Sequence, residues 1–169
     1  MNKFDLTEKL KEELKRINLW EQEDDEDEDQ EENDSDEDQD SQKESSNHNE
    51  DFCEMVCQML HSQTQVHIFH LGTKSYAEHK ALQKYYESVD DLTDGLLESY
   101  QGKYCLLTNY KSYKNQSYKN KNQVLKYFTG LLSMIEEKRD CCDDSYIQNQ
   151  IDTVQELIYS TMYKLKFLN

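Results

Sequence analysis

No proline occurs in the 169 residues, and only four glycines do. That scarcity, with little alternation of Val, Ile and Thr, argues against strand-rich folds and for helix. No apolar run approaches the ~20 residues of a membrane-spanning helix. No leader-like stretch opens the sequence, so a soluble, cytoplasmic protein without a membrane partner is expected. The five cysteines, an odd number, include no Cys-x-x-Cys pair and no zinc-finger spacing. They read as reduced thiols filling small core spaces. Cys53, Cys57 and His61 form a row at four-residue steps, but three soft ligands on one helix face lack a fourth.

Negative charge is abundant, but it sits in one place. The formal net charge is −17. Residues 21–51 hold eighteen Asp and Glu and a single Lys, which accounts for all of it. The rest of the chain is balanced. A stretch so charged and without apolar residues buries nothing, and is expected to be a disordered linker. It is also a polyanion able to engage a basic protein partner. Before it, residues 1–20 form an amphipathic pattern, with Leu6, Leu10, Leu14 and Ile17 on one face.

From Phe52 the character changes, and 52–169 is expected to be a single domain. Four period-3.6 patterns follow, over 52–71, 76–101, 119–138 and 144–168. The connections are short around 72–75, long over 102–118 and short around 139–143. Short, long, short is the order of two helical hairpins packed antiparallel through one crossover. The expected fold class is therefore all-α, a ferritin-like four-helix bundle with one long crossover. An up-and-down bundle is the alternative.

The crossover region, residues 103–122, contains five Lys, four Tyr and no acid, with SYKNQ followed directly by SYKNK. Lys111, Lys114, Lys119 and Lys121 with interleaved Tyr form a composition that can track phosphates and stack on bases. The chain's own acidic segment opposes that use, so nucleic acid is not an expected partner unless the segment is displaced.

The candidate chemistry lies around the first short turn. His67 and His70 share a helix face and His79 begins the next helix. Glu87, Asp91, Asp94 and Glu98 then step by four, three and four along that helix. A solvated polar face is the simple reading. A row of carboxylates that repel one another also favours a cation, and imidazole with carboxylate suits Fe or Zn, with Mn less well matched.

The run HLGTKSYAEHKALQKYYESVDDLTDGLLESYQG (70–102) resembles the metal-site region of the mini-ferritins called DNA-binding proteins from starved cells, or Dps. It also resembles Dps-like proteins of phages and large viruses, in its LxTxSYAxH core and its Tyr163-Lys-Leu ending. The resemblance implies a metal site of His70, His79, Asp94 and Glu98, the acids lying fifteen and nineteen residues after His79. It implies an oligomer, at least a dimer and up to a shell, in which the histidines of one copy face the acids of another. Iron is the implied metal, zinc or manganese the alternatives, and ferroxidase-type oxidation the implied activity. The location would be a host cytoplasm or a virion if the source is viral. The sequence departs from the family in a turn three residues shorter, in His-Leu for His-Trp, and in Gln83 where a bridging carboxylate stands. His67 or Glu87 are the substitute ligands at hand. A non-catalytic ferritin-like interaction protein, its acidic segment on a basic partner, is the alternative function.

Overall fold

Buried side chains recur every three or four residues along each helix that carries the core. The computed structural model describes residues 38–168, with side chains from His48 onward. The expected helix at 1–20 and the acidic residues 21–37 lie outside the described residues. Within them the protein is all-helical. There are four α-helices: α1 (Asp38–Gly72), α2 (Tyr76–Lys103), α3 (Lys121–Lys138) and α4 (Ser145–Phe167), with a 3-10 turn at Arg139–Cys141 before α4.

One boundary differs from expectation. Helix α1 begins at Asp38, so its first fourteen residues come from the stretch assigned to the linker. Hydrophobic periodicity is blind there because no apolar residue is present. Gln, Glu and Lys are good helix formers, and a helix nucleated on a packed segment extends at little cost. Further along, Asp51 is tied to Lys138 (2.5 Å) and Asn49 accepts a hydrogen bond from the Tyr100 hydroxyl (2.7 Å).

The core joins all four helices. Helix α1 packs on α2 and α3, and α4 packs on the same two. Phe52, Met55, Val56, Met59, Val66 and Phe69 of α1 are fully buried. Leu82, Tyr85, Val89, Leu96 and Tyr100 of α2 meet them, each large side chain adding about 1.5–3 kcal/mol by leaving water. Tyr85 reaches the centre. Its ring packs edge-on against Phe128 of α3 (4.9 Å), and its hydroxyl bonds Ser62 of α1 (2.8 Å). Because Ser62 donates its proton to the Met59 carbonyl (2.6 Å), Tyr85 must be the donor to Ser62. Burial pushes the Tyr85 phenol well above its ordinary range.

The long link between α2 and α3 lies along α1 in fixed register. Cys53 Sγ donates to the Asn109 carbonyl (3.5 Å), and the Lys111 N–H donates to Cys57 Sγ (3.2 Å). His61 faces the Tyr113 ring (5.5 Å), Gln65 bonds Gln116, and Phe69 meets Tyr118 (6.5 Å). Four helical residues advance about 6 Å and two extended residues about 6.6 Å, so the two chains stay in step, with one extra crossover residue between Tyr113 and Gln116. The row of Cys53, Cys57 and His61 is thus a seat for the crossover rather than a set of metal ligands. The crossover ends beside the C-terminus of α1, so α3 starts there and runs back antiparallel to α1, reaching Asp51 through Lys138.

Gln65 is the strongest tie in this seat. Fully buried, it donates to the Gln116 carbonyl (2.8 Å) and accepts from the Gln116 N–H (2.7 Å). Gln65→Leu preserves bulk but leaves both backbone groups without partners. It is expected to lower stability by about 2 kcal/mol, read as a lower urea midpoint. Gly72 leaves the chain no slack at the far end, because a Cβ there would overlap the Cβ of Tyr118.

Candidate functional site

The turn between α1 and α2 is built by three polar side chains. Ser75 caps α2 by accepting from the Glu78 N–H (3.3 Å). Thr73 Oγ1 accepts from the Ser75 N–H (3.2 Å) and donates to Glu78 Oε2 (2.7 Å). The same carboxylate oxygen accepts from the Tyr118 hydroxyl (2.8 Å), so Glu78 ties the turn to the end of the crossover. Sequence reasoning passed over Glu78. The signal was the Ser75-x-x-Glu78 spacing of a capping box. Here the carboxylate turns to two hydroxyls instead of the Ser75 N–H, and it is almost completely buried.

That short turn brings His70 and His79 face to face. Their rings stack at 3.7 Å with planes inclined by 28°. His70 Nδ1 lies 2.9 Å from the His79 carbonyl oxygen, and His79 Nδ1 lies 3.3 Å from the His70 carbonyl oxygen. A carbonyl oxygen only accepts, so each Nδ1 carries a proton, and in the neutral imidazole Nε2 is then the atom with the lone pair. This is the tautomer of an imidazole that ligates a metal through Nε2, and a backbone carbonyl is a common outer partner for such a ligand. Tyr86 packs edge-on to His70 (5.1 Å), while His67 lies flat on Tyr86 (4.3 Å) with its own ring 5.7 Å from His70.

The acids are elsewhere. Asp94 and Glu98 lie on α2 about 22 Å and 28 Å along the axis from His79. Both are exposed, and neither has an ion-pair partner among the described residues. Glu87 is exposed as well and accepts from the Gln83 amide (2.7 Å), which in turn accepts from Lys80 (2.8 Å). Among the described residues, no three His, Cys, Asp or Glu converge as a metal set. One chain therefore presents two imidazoles at the turn, with neither His67 nor Glu87 completing a third ligand. Gln83 is held in a surface chain of side-chain hydrogen bonds.

The four crossover lysines lie in different surroundings. Lys111 pairs with Glu54 of α1 (3.7 Å). Lys114 and Lys119 open onto a groove between the crossover, α1 and α3, and Lys121 does not line it. Lys126 of α3, outside the sequence-predicted set, does.

The chain belongs to a family of unknown function, DUF5856, which it matches over residues 70–165, from the first stacked histidine almost to the end of α4. No curated protein and no solved structure matches it.

Proposed function

We propose that this chain is a ferritin-like four-helix bundle protein that binds ferrous iron, with His70 and His79 as one half of a site completed by Asp94 and Glu98 of a second copy. The reciprocal Nδ1-to-carbonyl hydrogen bonds carry the reading, because they hold two neighbouring imidazoles with Nε2 lone pairs ready for a cation. The run of the crossover along α1 and the antiparallel return of α3 support the bundle with one long crossover. Leu71 and Tyr76, strongly exposed beside the histidines, support a second copy at this end. The bare carboxylates of Asp94 and Glu98 supply the charge that the imidazoles lack. Iron held there would bring one-electron reactivity towards dioxygen or peroxide. The chain's own part is to fix the imidazole tautomers through backbone carbonyls and to balance the ion's charge.

Anaerobic titration with Fe(II) tests this, with oligomeric mass followed by light scattering. A stoichiometric endpoint is expected for the parent protein and its loss for His70→Ala and for Asp94→Ala. Gln83→Glu, restoring a carboxylate one turn after His79, is expected to tighten binding about tenfold, as an added charged ligand of about 1.4 kcal/mol would. Equal binding by all four proteins, or a monomer at every concentration, would defeat the reading.

A further inference from the structure

The groove between the crossover, α1 and α3 has a volume of about 830 Å³ and no Asp or Glu in its lining. Three ammonium groups, Lys114, Lys119 and Lys126, open onto it from two elements. The groove is also lined by two side chains with unmet hydrogen-bonding capacity, since His61 Nε2 and the Tyr113 hydroxyl are buried with no partner. Gln58 lines the groove and acts weakly on the Tyr113 phenol, without meeting the geometry of a hydrogen bond. A buried polar atom left in this state is costly, and its usual explanation is a water or a ligand. Desolvation, the largest influence on Tyr113, keeps its phenol protonated and therefore a donor.

We infer that this groove is a binding site for a nucleoside phosphate, with Lys114, Lys119 and Lys126 on the phosphate oxygens and His61 and Tyr113 on the sugar or base. The volume is that of a site for a ligand of this size. Lysine acts on phosphate as a mobile point charge, which suits a rim of flexible side chains. An imidazole and a phenol match the mixed donors and acceptors of a base edge. Simple anions would use the lysines and leave His61 and Tyr113 unmet. The groove shares no residue with the histidine pair, so this site and the iron site stand or fall separately.

The same chemistry can come from a free nucleotide or from a nucleotide unit within a single strand. Calorimetry on the full chain at fixed physiological salt would compare ATP, inorganic pyrophosphate and a short single-stranded oligothymidylate. ATP or the oligonucleotide is expected to bind more tightly than pyrophosphate. The tighter of the two identifies the source. Binding should weaken about tenfold for each lysine replaced in Lys114→Ala, Lys119→Ala and Lys126→Ala, each a lost charge-assisted contact. Lys126→Glu, on the exposed face of α3, gives a folded charge reversal and should abolish binding while leaving the circular dichroism melt unchanged. Binding unaffected by Lys126→Glu would overturn the proposal, as would no heat with ATP and oligonucleotide, or pyrophosphate binding as tightly as ATP.

Discussion

Phe69→Ala is expected to lower the unfolding free energy by about 3–5 kcal/mol, the usual loss for a fully buried phenylalanine whose site cannot collapse. Phe69 is fully buried, and its ring meets Tyr127 of α3 edge-on at 5.6 Å and Tyr118 of the crossover at 6.5 Å. It is therefore where helix α1, helix α3 and the long link are packed together. Phe69→Leu keeps most of the volume and should cost roughly a third as much. Urea denaturation gives both values. A small loss with alanine would mean that the crossover is not packed as described. Because His70 follows directly, the alanine variant should also bind iron less well.

Glu78→Ala is expected to cost about 3–6 kcal/mol, since it removes the acceptor for two hydroxyls at once, and bonds to a charged group are each worth about 1.5–3 kcal/mol. Thr73 and Tyr118 would both lose their partner in a nearly closed space. Glu78→Gln should be much milder, because an amide oxygen accepts both bonds and forfeits only the charge. The alanine variant should weaken iron binding without removing any proposed ligand, because the turn it loosens fixes the distance between the two histidine rings. A melting curve and an iron titration on the same two variants separate these effects. If alanine and glutamine behave alike, the carboxylate is not the tie it is described to be.

These two residues show where the sequence was readable and where it was not. Phe69 belongs to an apolar period that any helical pattern exposes, and the start of α1 apart, the helix bounds came out of such periods to within a few residues. The helical period fits Leu92 and Thr93 equally, and the fully buried one is Thr93, its hydroxyl turned back to the Val89 carbonyl (2.7 Å). The start of α1 was hidden because Asp38 to Asp51 buries no apolar side chain. Glu78 was hidden because its partners, Thr73 and Tyr118, come from a turn and an irregular segment, which have no repeat to read. The same is true of the seating of the crossover on Cys53, Cys57 and Gln65. Spacing was enough to suggest that His70 and His79 meet across a short turn, but not that each would bond the other's carbonyl. Nor does spacing show what faces Asp94 and Glu98. The lysines of the crossover have different surroundings for a simple reason. Residues an odd number apart on an extended chain point to opposite sides, so Lys111 went to Glu54 and Lys114, three on, to the groove.

The most direct test of the shared iron site is complementation between two defective variants. His70→Ala and Asp94→Ala would be mixed in equal amounts, dissociated and reassembled, and titrated anaerobically with Fe(II). In a randomly mixed population half the pairs are mixed, and each has one intact site of its two, so about a quarter of the parent's binding should return. No recovery after confirmed exchange of subunits, or full binding by either variant alone, would contradict a site built from histidines of one copy and acids of another.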